Sequence, residues 1–85
     1  MPSKTVTVGS AVGLHARPAA VISEAVVTAG VPVTIAVEGG DAVDAGSALM
    51  IMTLGAGNGA QVVVTSDDEA VLAQIAALVE QDLDA

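Results

Sequence analysis

The hydrophobic residues of the chain follow two different periods along the sequence. Residues 4–8 and 31–37 alternate apolar and polar side chains, which is the period of a half-buried strand. Residues 60–65 form a valine-rich run that predicts a third strand. Residues 42–44 follow the tight turn EGGD and predict the second arm of a hairpin. The pattern therefore predicts four strands.

Helical spacing of apolar residues separates these strands. Residues 17–29 place their apolar side chains on one face, and Gly30 follows as a stop signal. A shorter helix is predicted from Ser47, its N-cap, to about Thr53. The sequence SDDE at residues 66–69 has the spacing of a capping box and predicts the start of a third helix. The apolar stripe of that helix is formed by Leu72, Ile75, Val79 and Leu83.

The predicted order of elements is β-α-β-β-α-β-α. A helix with one apolar face must bury that face against another layer, and here the layer available is the sheet. We therefore expect an α+β fold of the open-faced sandwich type, with a four-stranded, mostly antiparallel sheet and three helices on one side. The sequence has no internal repeat or linker, so residues 1–85 are predicted to form one domain.

Composition narrows the classes of function. The formal net charge is −8, from ten acidic and two basic side chains, and no residue is aromatic. Nucleic-acid binding is disfavoured, because phosphates need basic partners and bases need rings on which to stack. An anionic membrane surface is disfavoured for the same lack of basic groups. The absence of cysteine excludes a disulfide framework and thiolate metal sites.

One stretch is long enough to be tested as a membrane span. Residues 45–66 carry no charged side chain, and a spanning helix needs about 20 apolar residues. The middle of the stretch, LGAGNGAQ, contains three glycines, an asparagine and a glutamine, which indicates a turn. The N-terminus, MPSKTVTV, lacks the apolar run of a secretory signal. We therefore expect a cytoplasmic protein without direct membrane contact.

The only histidine and the only arginine of the chain lie two positions apart in GLHARPAA, residues 13–20. His15 falls where a glycine-containing loop meets the first helix, and backbone N–H groups and the helix dipole stabilise an anion at such a terminus. A neutral imidazole carries a nucleophilic lone pair near neutral pH. Arg17 can donate charged hydrogen bonds to a phosphate or a carboxylate. These residues are therefore candidates for a site in which the histidine accepts a phosphoryl group.

Other interpretations of the same residues stay open at this point. A single histidine near a helix start is more often a cap or a solvated side chain than a nucleophile, and a nearby arginine is often a plain surface charge. A metal site lacks spaced ligands. A hydrolytic triad needs a serine with a base and an orienting group, and nothing in the sequence fixes Ser10, Ser23 or Ser47 in that role.

Two motifs give the chain a resemblance to a known family. GLHARPAA resembles the active-site motif of HPr, the histidine-containing phosphocarrier proteins of the bacterial sugar phosphotransferase system. GSALMIMTLGAGNG, residues 46–59, resembles the second motif of that family, a serine followed by a short apolar helix and Leu-Gly. The length and the predicted order of elements also agree, so the resemblance covers essentially the whole chain.

The resemblance implies a carrier of phosphoryl groups rather than an enzyme with turnover of its own. His15 would be phosphorylated on Nδ1 by enzyme I, with phosphoenolpyruvate as the ultimate donor, and would pass the group to IIA domains of sugar permeases. Arg17 would be the assisting cation and Pro18 the residue that starts the helix. In many Gram-positive relatives the serine that matches Ser47 is modified by an HPr kinase, so a regulatory phosphosite is implied here too.

The resemblance also implies a docking surface for these partners. Many relatives carry several lysines around the second helix, whereas this chain has none there, so docking is expected to use apolar contacts. The expected contact residues are Leu14, Ala20, Leu49, Met50 and Met52. We expect a monomer that needs no cofactor and no metal ion. The alternative is a regulatory module of the same fold that docks onto kinases, permeases or transcription factors, with His15 incidental.

Overall fold

The structure, a computed structural model, describes residues 2–11 and 13–81. Within these residues the chain forms four β-strands and three α-helices. In chain order they are β1 (Ser3–Thr7), α1 (Ala16–Ala29), β2 (Thr34–Val37), β3 (Val43–Asp44), α2 (Ala48–Thr53), β4 (Gln61–Thr65) and α3 (Glu69–Glu80). The predicted order of elements is confirmed.

The four described strands form one sheet in the order β1-β4-β2-β3. All three pairings between them are antiparallel, and β2 and β3 form the predicted hairpin. In the β1–β4 ladder Val6 lies opposite Val62, and in the β2–β4 ladder Ile35 lies opposite Val64. The strand nearest the end of the sequence, β4, is therefore central in the sheet.

The three helices cover one face of this sheet and enclose an aliphatic core, so the predicted open-faced sandwich is confirmed. Ile35, Val62 and Val64 of the sheet are fully buried, as are Ile22 of α1 and Ile75 of α3. Burying an aliphatic side chain of this size contributes about 1.5–3 kcal/mol. Side chains alternate along a strand, so Thr5, Ala36 and Val63 point to the opposite face, where Thr5 is exposed, Val63 half-buried and Ala36 buried.

The ends of the first two helices follow from local hydrogen bonds. α1 ends at Gly30, which has a left-handed φ of 73° and donates its N–H to the carbonyls of Val26 and Val27. This confirms Gly30 as the stop. α2 begins after Ser47, whose Oγ accepts a hydrogen bond from the N–H of Met50 at 3.3 Å. The predicted capping role of Ser47 is confirmed as well.

The predicted capping box at the start of the third helix is wrong. The N-cap of α3 is Asp68, whose Oδ1 accepts hydrogen bonds from the N–H groups two and three residues later, at 3.0 and 3.1 Å. Ser66 is buried, and its Oγ accepts from the N–H of Asp68 at 3.2 Å. Ser66 therefore shapes the turn before the helix. Leu83 of the predicted apolar stripe lies outside the described residues.

All four strands differ from their predicted limits, and β3 and β4 each begin one residue later than predicted. β2 begins at Thr34, whereas the alternating pattern starts at residue 31, because Pro32 has no N–H to donate to a ladder. Val33 is nevertheless buried and its carbonyl accepts from the N–H of Ala45 at 2.9 Å. β1 ends at Thr7, one residue before the predicted limit. The backbone of Val8 instead bonds to the loop that precedes β4.

Among the described residues, no helix has both the length and the apolar character needed to cross a membrane. The uncharged stretch at residues 45–66 is divided between α2, a loop and β4. The turn chemistry in the middle of that stretch therefore predicted its structure correctly.

Candidate functional site

His15 is the N-cap of α1, and its side chain is exposed. Its backbone is extended, with φ −92° and ψ −164°, so the chain changes from loop to helix at this residue. The ring nitrogen Nδ1 accepts a hydrogen bond from the N–H of Ala16 at an N–N distance of 3.0 Å. A nitrogen that accepts a hydrogen bond carries a lone pair, so the neutral ring holds its proton on Nε2. The expected position of His15, at the junction of loop and helix, is confirmed.

The first turn of α1 presents backbone donors and no acidic side chain. A helix leaves its first N–H groups without intrahelical acceptors. Pro18 lies in this turn, as predicted, and has no N–H, while Ala19 donates its N–H to the carbonyl of His15 at 2.8 Å. The N–H groups of Ala16 and Arg17 therefore have no acceptor within the helix and point to its N-terminal end. Because this turn contains no Asp or Glu, no carboxylate offsets the positive end of the dipole.

Arg17 is the second residue of α1, and its side chain is exposed. It does not belong to the buried core. Its guanidinium carries five N–H donors in a planar fork that matches the oxygens of a phosphate. The structure therefore brings His15 and Arg17 to the same helix terminus, where both can meet one anion.

The backbone before His15 is fixed to the loop at residues 55–59. Leu14 donates its N–H to the carbonyl of Ala56 at 2.8 Å. Gly13 has a φ of +74°, and a Cβ at this position would lie 2.4 Å from Ala56 O. Glycine is therefore required where the two loops approach each other.

The structure corrects the expected role of Leu14. This side chain is only 4% exposed and belongs to the hydrophobic core. A buried side chain offers a partner almost no surface, so the expectation that Leu14 makes an apolar docking contact is wrong. Its physical role is to anchor the loop that precedes His15.

Sequence reasoning missed Asn58, which also holds this loop. Its Nδ2 donates to the carbonyl of Gly9 at 3.3 Å and to the carbonyl of Ser10 at 3.1 Å. The next residue, Gly59, donates its N–H to the carbonyl of Val8 at 3.0 Å. In the sequence Asn58 stands between two glycines, which signals a turn and says nothing about which carbonyls its side chain meets.

An apolar surface lies next to His15. A depression beside the imidazole is lined by Leu14, His15, Met52, Gly55, Ala56 and Gly57. On α2, which packs against α1, the side chains of Leu49 and Met50 are 69% and 40% exposed. Met52 is half-buried and Ala20 is exposed. Apart from Leu14, the residues expected to contact a partner therefore have surface to offer.

Ser47 stands at the start of the helix that carries these apolar residues. It is half-buried, and its Oγ caps α2, while its backbone N–H donates to the carbonyl of Asp44 at 3.2 Å. Its hydroxyl oxygen is therefore bonded to a backbone N–H at the positive end of that helix.

The other serines weighed from the sequence are engaged elsewhere. Ser10 is 1% exposed, and Ser23 is buried with its Oγ donating to the carbonyl of Ala20 at 3.1 Å. Within residues 2–11 and 13–81, no three His, Asp or Glu side chains come together in a group that could hold a metal ion.

The family of this chain follows from its sequence relatives. A family model described as "PTS HPr component phosphorylation site" matches residues 2–81. The phosphocarrier protein HPr of Streptomyces coelicolor is 45% identical over 87 residues, an alignment that covers 99% of this chain and 94% of the relative.

Solved structures agree with this assignment. The phosphocarrier protein HPr from Bacillus anthracis superposes with a TM-score of 0.82 at 33% identity, covering 92% of this chain and 95% of that one. HPr-C-His from Thermoanaerobacter tengcongensis superposes with a TM-score of 0.87 at 26% identity, covering 100% of this chain and 98% of that one. The exposed histidine at the helix terminus and the family match over nearly the whole sequence lead to one conclusion: the chain belongs to the HPr family, the phosphocarrier proteins of the phosphotransferase system.

Proposed function

We propose that His15 accepts a phosphoryl group on Nδ1 from phosphorylated enzyme I and passes it to the IIA domains of sugar permeases. The observation that carries this proposal is the hydrogen bond of 3.0 Å from the N–H of Ala16 to His15 Nδ1, which places that nitrogen at the positive end of α1. The proposal includes phosphoenolpyruvate as the ultimate donor. It also includes a cytoplasmic, monomeric carrier, because the shuttle alternates between partners.

The transfer step needs few groups from this chain. The lone pair of His15 Nδ1 attacks phosphorus and forms a P–N bond, while the bond from phosphorus to the donor group of enzyme I breaks and leaves its electron pair on that donor. The Nε2 proton stays on the ring. In the transfer to a IIA domain, an acceptor atom of that domain forms a bond to phosphorus while the P–N bond breaks and its electron pair returns to Nδ1. The catalytic contribution is positioning and charge stabilisation, as phosphoryl transfer requires.

The charge of the transferred group is stabilised by the start of α1. Oxygens of a phosphoryl group on Nδ1 can accept hydrogen bonds from the N–H groups of Ala16 and Arg17 in place of the ring nitrogen. The helix dipole adds a favourable field, since the first turn contains no acidic side chain. The guanidinium of Arg17 supplies the positive charge that spreads over the phosphoryl oxygens in the transition state.

Docking of the protein partners is proposed to use the apolar surface beside His15. Leu49 and Met50 are exposed on α2, and a contiguous apolar patch on a small protein is a common interaction site. Met52 lines the depression next to the imidazole. Ala20 adds a small apolar side chain one turn into α1. The two basic residues of the chain, Lys4 and Arg17, both lie outside α2. The helix that carries most of this surface therefore has no charged side chain.

The test is phosphorylation of the full chain by enzyme I and phosphoenolpyruvate, followed by intact-mass measurement. We expect a gain of one phosphoryl group that is lost in acid and stable in base. The control is His15→Asn, because asparagine is a favourable N-cap and cannot form the adduct. A labelled His15→Asn protein, or a folded wild-type chain that gains no mass, would refute the proposal.

We infer that Ser47 is a regulatory phosphosite for an HPr kinase. A phosphate on a helix N-cap is accommodated by the dipole, so α2 can tolerate it. It would add a charge of about −1.5 to −2 next to an apolar docking surface, and desolvating that charge opposes partner binding. The matched variants are Ser47→Asp and Ser47→Asn, which both keep a favourable cap and differ in charge. We expect a raised KM for enzyme I in the Asp variant only, and equal KM values would contradict the inference.

A further inference from the structure

We propose that Asn58 is a positioning residue for phosphoryl transfer, which holds the loop before His15 against the loop before β4. The functional part of this inference rests on the proposed role of His15 as the phosphoryl acceptor. The structural part, that Asn58 fixes the loop, stands on hydrogen bonds between described residues and has its own test.

The hydrogen bonds of Asn58 join two distant parts of the sequence. Its Nδ2 donates to the carbonyls of Gly9 and Ser10, which lie 49 and 48 residues away along the chain. Both acceptors belong to the connection between β1 and α1. One amide group therefore contacts two consecutive peptide groups, which fixes their orientation as well as their position.

A short path of hydrogen bonds leads from these carbonyls to His15. The carbonyl of Ser10 also accepts from the N–H of Gly13 at 2.9 Å, so Asn58 and Gly13 share one acceptor. Leu14 then donates its N–H to the carbonyl of Ala56 at 2.8 Å. His15 follows directly. The connection is thus held to the loop at residues 55–59 at both of its ends, by Asn58 at one end and by Ala56 at the other.

The position of Asn58 separates this role from a role in stability. Asn58 is exposed and contributes nothing to the hydrophobic core. Gly9 keeps a second attachment, since its N–H donates to the carbonyl of Val79 at 3.1 Å. Loss of the Asn58 amide should therefore leave the chain folded and change the orientation of the loop. Small displacements of a reacting group matter, because a misplacement of about 1 Å can cost about a hundredfold in rate.

Gln61 provides a matched control in the same chain. It is exposed like Asn58, and its Nε2 donates to Thr7 Oγ1 at 2.6 Å across the β1–β4 pairing. This bond also ties residues far apart in the sequence, and it has no link to the loop before His15. The variants are Asn58→Ala and Gln61→Ala, with Asn58→Asp and Gln61→Glu as a second pair that adds the same charge at each site. A carboxylate at residue 58 would face two carbonyl oxygens without a donor.

The experiment measures phosphorylation of His15 with two donors. Enzyme I with phosphoenolpyruvate reports transfer that includes docking. Phosphoramidate is a small donor whose P–N bond breaks as the His15 Nδ1–P bond forms, with ammonia as the leaving group. It needs no protein partner. Amide hydrogen exchange at Leu14 reports the fixed loop independently of any phosphorylation, and urea unfolding checks that each variant is folded.

We expect Asn58→Ala to lower the phosphoramidate rate and the kcat with enzyme I about tenfold, with the KM for enzyme I unchanged and faster exchange at Leu14. Asn58→Asp should be slower still, and both Gln61 variants should match the wild type. Unchanged rates in Asn58→Ala would overturn the proposal, and so would equal losses in Asn58→Ala and Gln61→Ala. A raised KM with an unchanged phosphoramidate rate would make Asn58 a docking residue and overturn it too. A wild type that reacts with phosphoramidate and not with enzyme I refutes the proposed function alone.

Discussion

Replacing Gly13 with alanine adds one methyl group where the loop before His15 meets residues 55–59. Gly13 has a φ of +74°, and the new Cβ would lie 2.4 Å from Ala56 O and 2.7 Å from the Cα of Gly57. Neither neighbour is a flexible side-chain end, so the backbone itself must shift. The carbonyl of Ala56 is also the acceptor for the N–H of Leu14, at 2.8 Å. The substitution therefore strains the residue and weakens the hydrogen bond that precedes His15.

The magnitude follows from these two terms. A left-handed backbone costs a residue with a Cβ about 1–2 kcal/mol. A net loss of one hydrogen bond costs about 0.5–1.5 kcal/mol. We expect Gly13→Ala to lower the free energy of unfolding by about 1.5–3.5 kcal/mol. Domains of this kind have total stabilities of about 5–15 kcal/mol, so the variant should remain folded and measurable.

Gly30→Ala is the matched control for this substitution. Gly30 has almost the same φ, +73°, and a Cβ there meets nothing within 4 Å. It should lose only the backbone term of about 1–2 kcal/mol. The difference between the two variants therefore isolates the contact with Ala56. Only Gly13→Ala should also slow phosphorylation of His15, because Gly30 ends α1 at its far terminus.

The assay is urea unfolding followed by far-ultraviolet circular dichroism. The chain has no Trp or Tyr, so intrinsic fluorescence offers no signal. The free energy of unfolding is obtained by linear extrapolation, and an unchanged m-value shows that the two-state comparison holds. Equal losses of stability in Gly13→Ala and Gly30→Ala would refute the argument that the close approach to Ala56 constrains this position.

Four further substitutions test other parts of the argument by the same unfolding assay, and the first of them also by phosphorylation by enzyme I. Arg17→Ala should slow phosphorylation by about 10- to 100-fold, because a charged hydrogen bond contributes about 1.5–3 kcal/mol. The unfolding midpoint should stay unchanged. Loss of the fold would show that the role of Arg17 is structural. Asp68→Ala should cost about 1 kcal/mol of stability as the loss of an N-cap, and no change would contradict the cap assignment. Ile75→Ala should cost about 2–5 kcal/mol because Ile75 is fully buried. Val27→Ala, at a position 68% exposed, should stay within about 0.5 kcal/mol of the wild type.

The sequence was sufficient for the elements and for the position of His15 and Arg17 at the start of α1. The period of the hydrophobic residues and the positions of the turn residues predicted each strand and helix, because both signals act locally. His15 and Arg17 stood out because a chain with two basic residues placed one of them beside its only histidine. The helix start that gives these residues their electrostatic environment is also a local feature, and Gly30 and Ser47 were predicted as caps for the same reason.

The sequence did not predict three features correctly: the N-cap of α3, the burial of Leu14 and the hydrogen bonds of Asn58. The first was a choice among several suitable residues, and the other two depend on contacts that form only in the folded chain. SDDE offers several oxygen-bearing caps, and burial of Ser66 leaves Asp68 to begin α3. Leu14 looked like a docking residue because the motif cannot say which way its side chain turns. Asn58 meets carbonyls 48 and 49 residues away, and no local pattern reports such a distance.

The central place of β4 in the sheet has a consequence for synthesis of the protein. β1 leaves the ribosome before β4, yet its partner in the sheet is β4, and β2 also pairs with β4. Pairings between residues so far apart make folding slower than local contacts would. The loop before His15 acquires its supports, Ala56 and Asn58, only in the same late stretch of the chain. A nascent chain that ends before residue 56 can therefore carry the complete GLHARPAA motif without these supports, so competence to carry phosphate should arise only after the segment through β4 has been made.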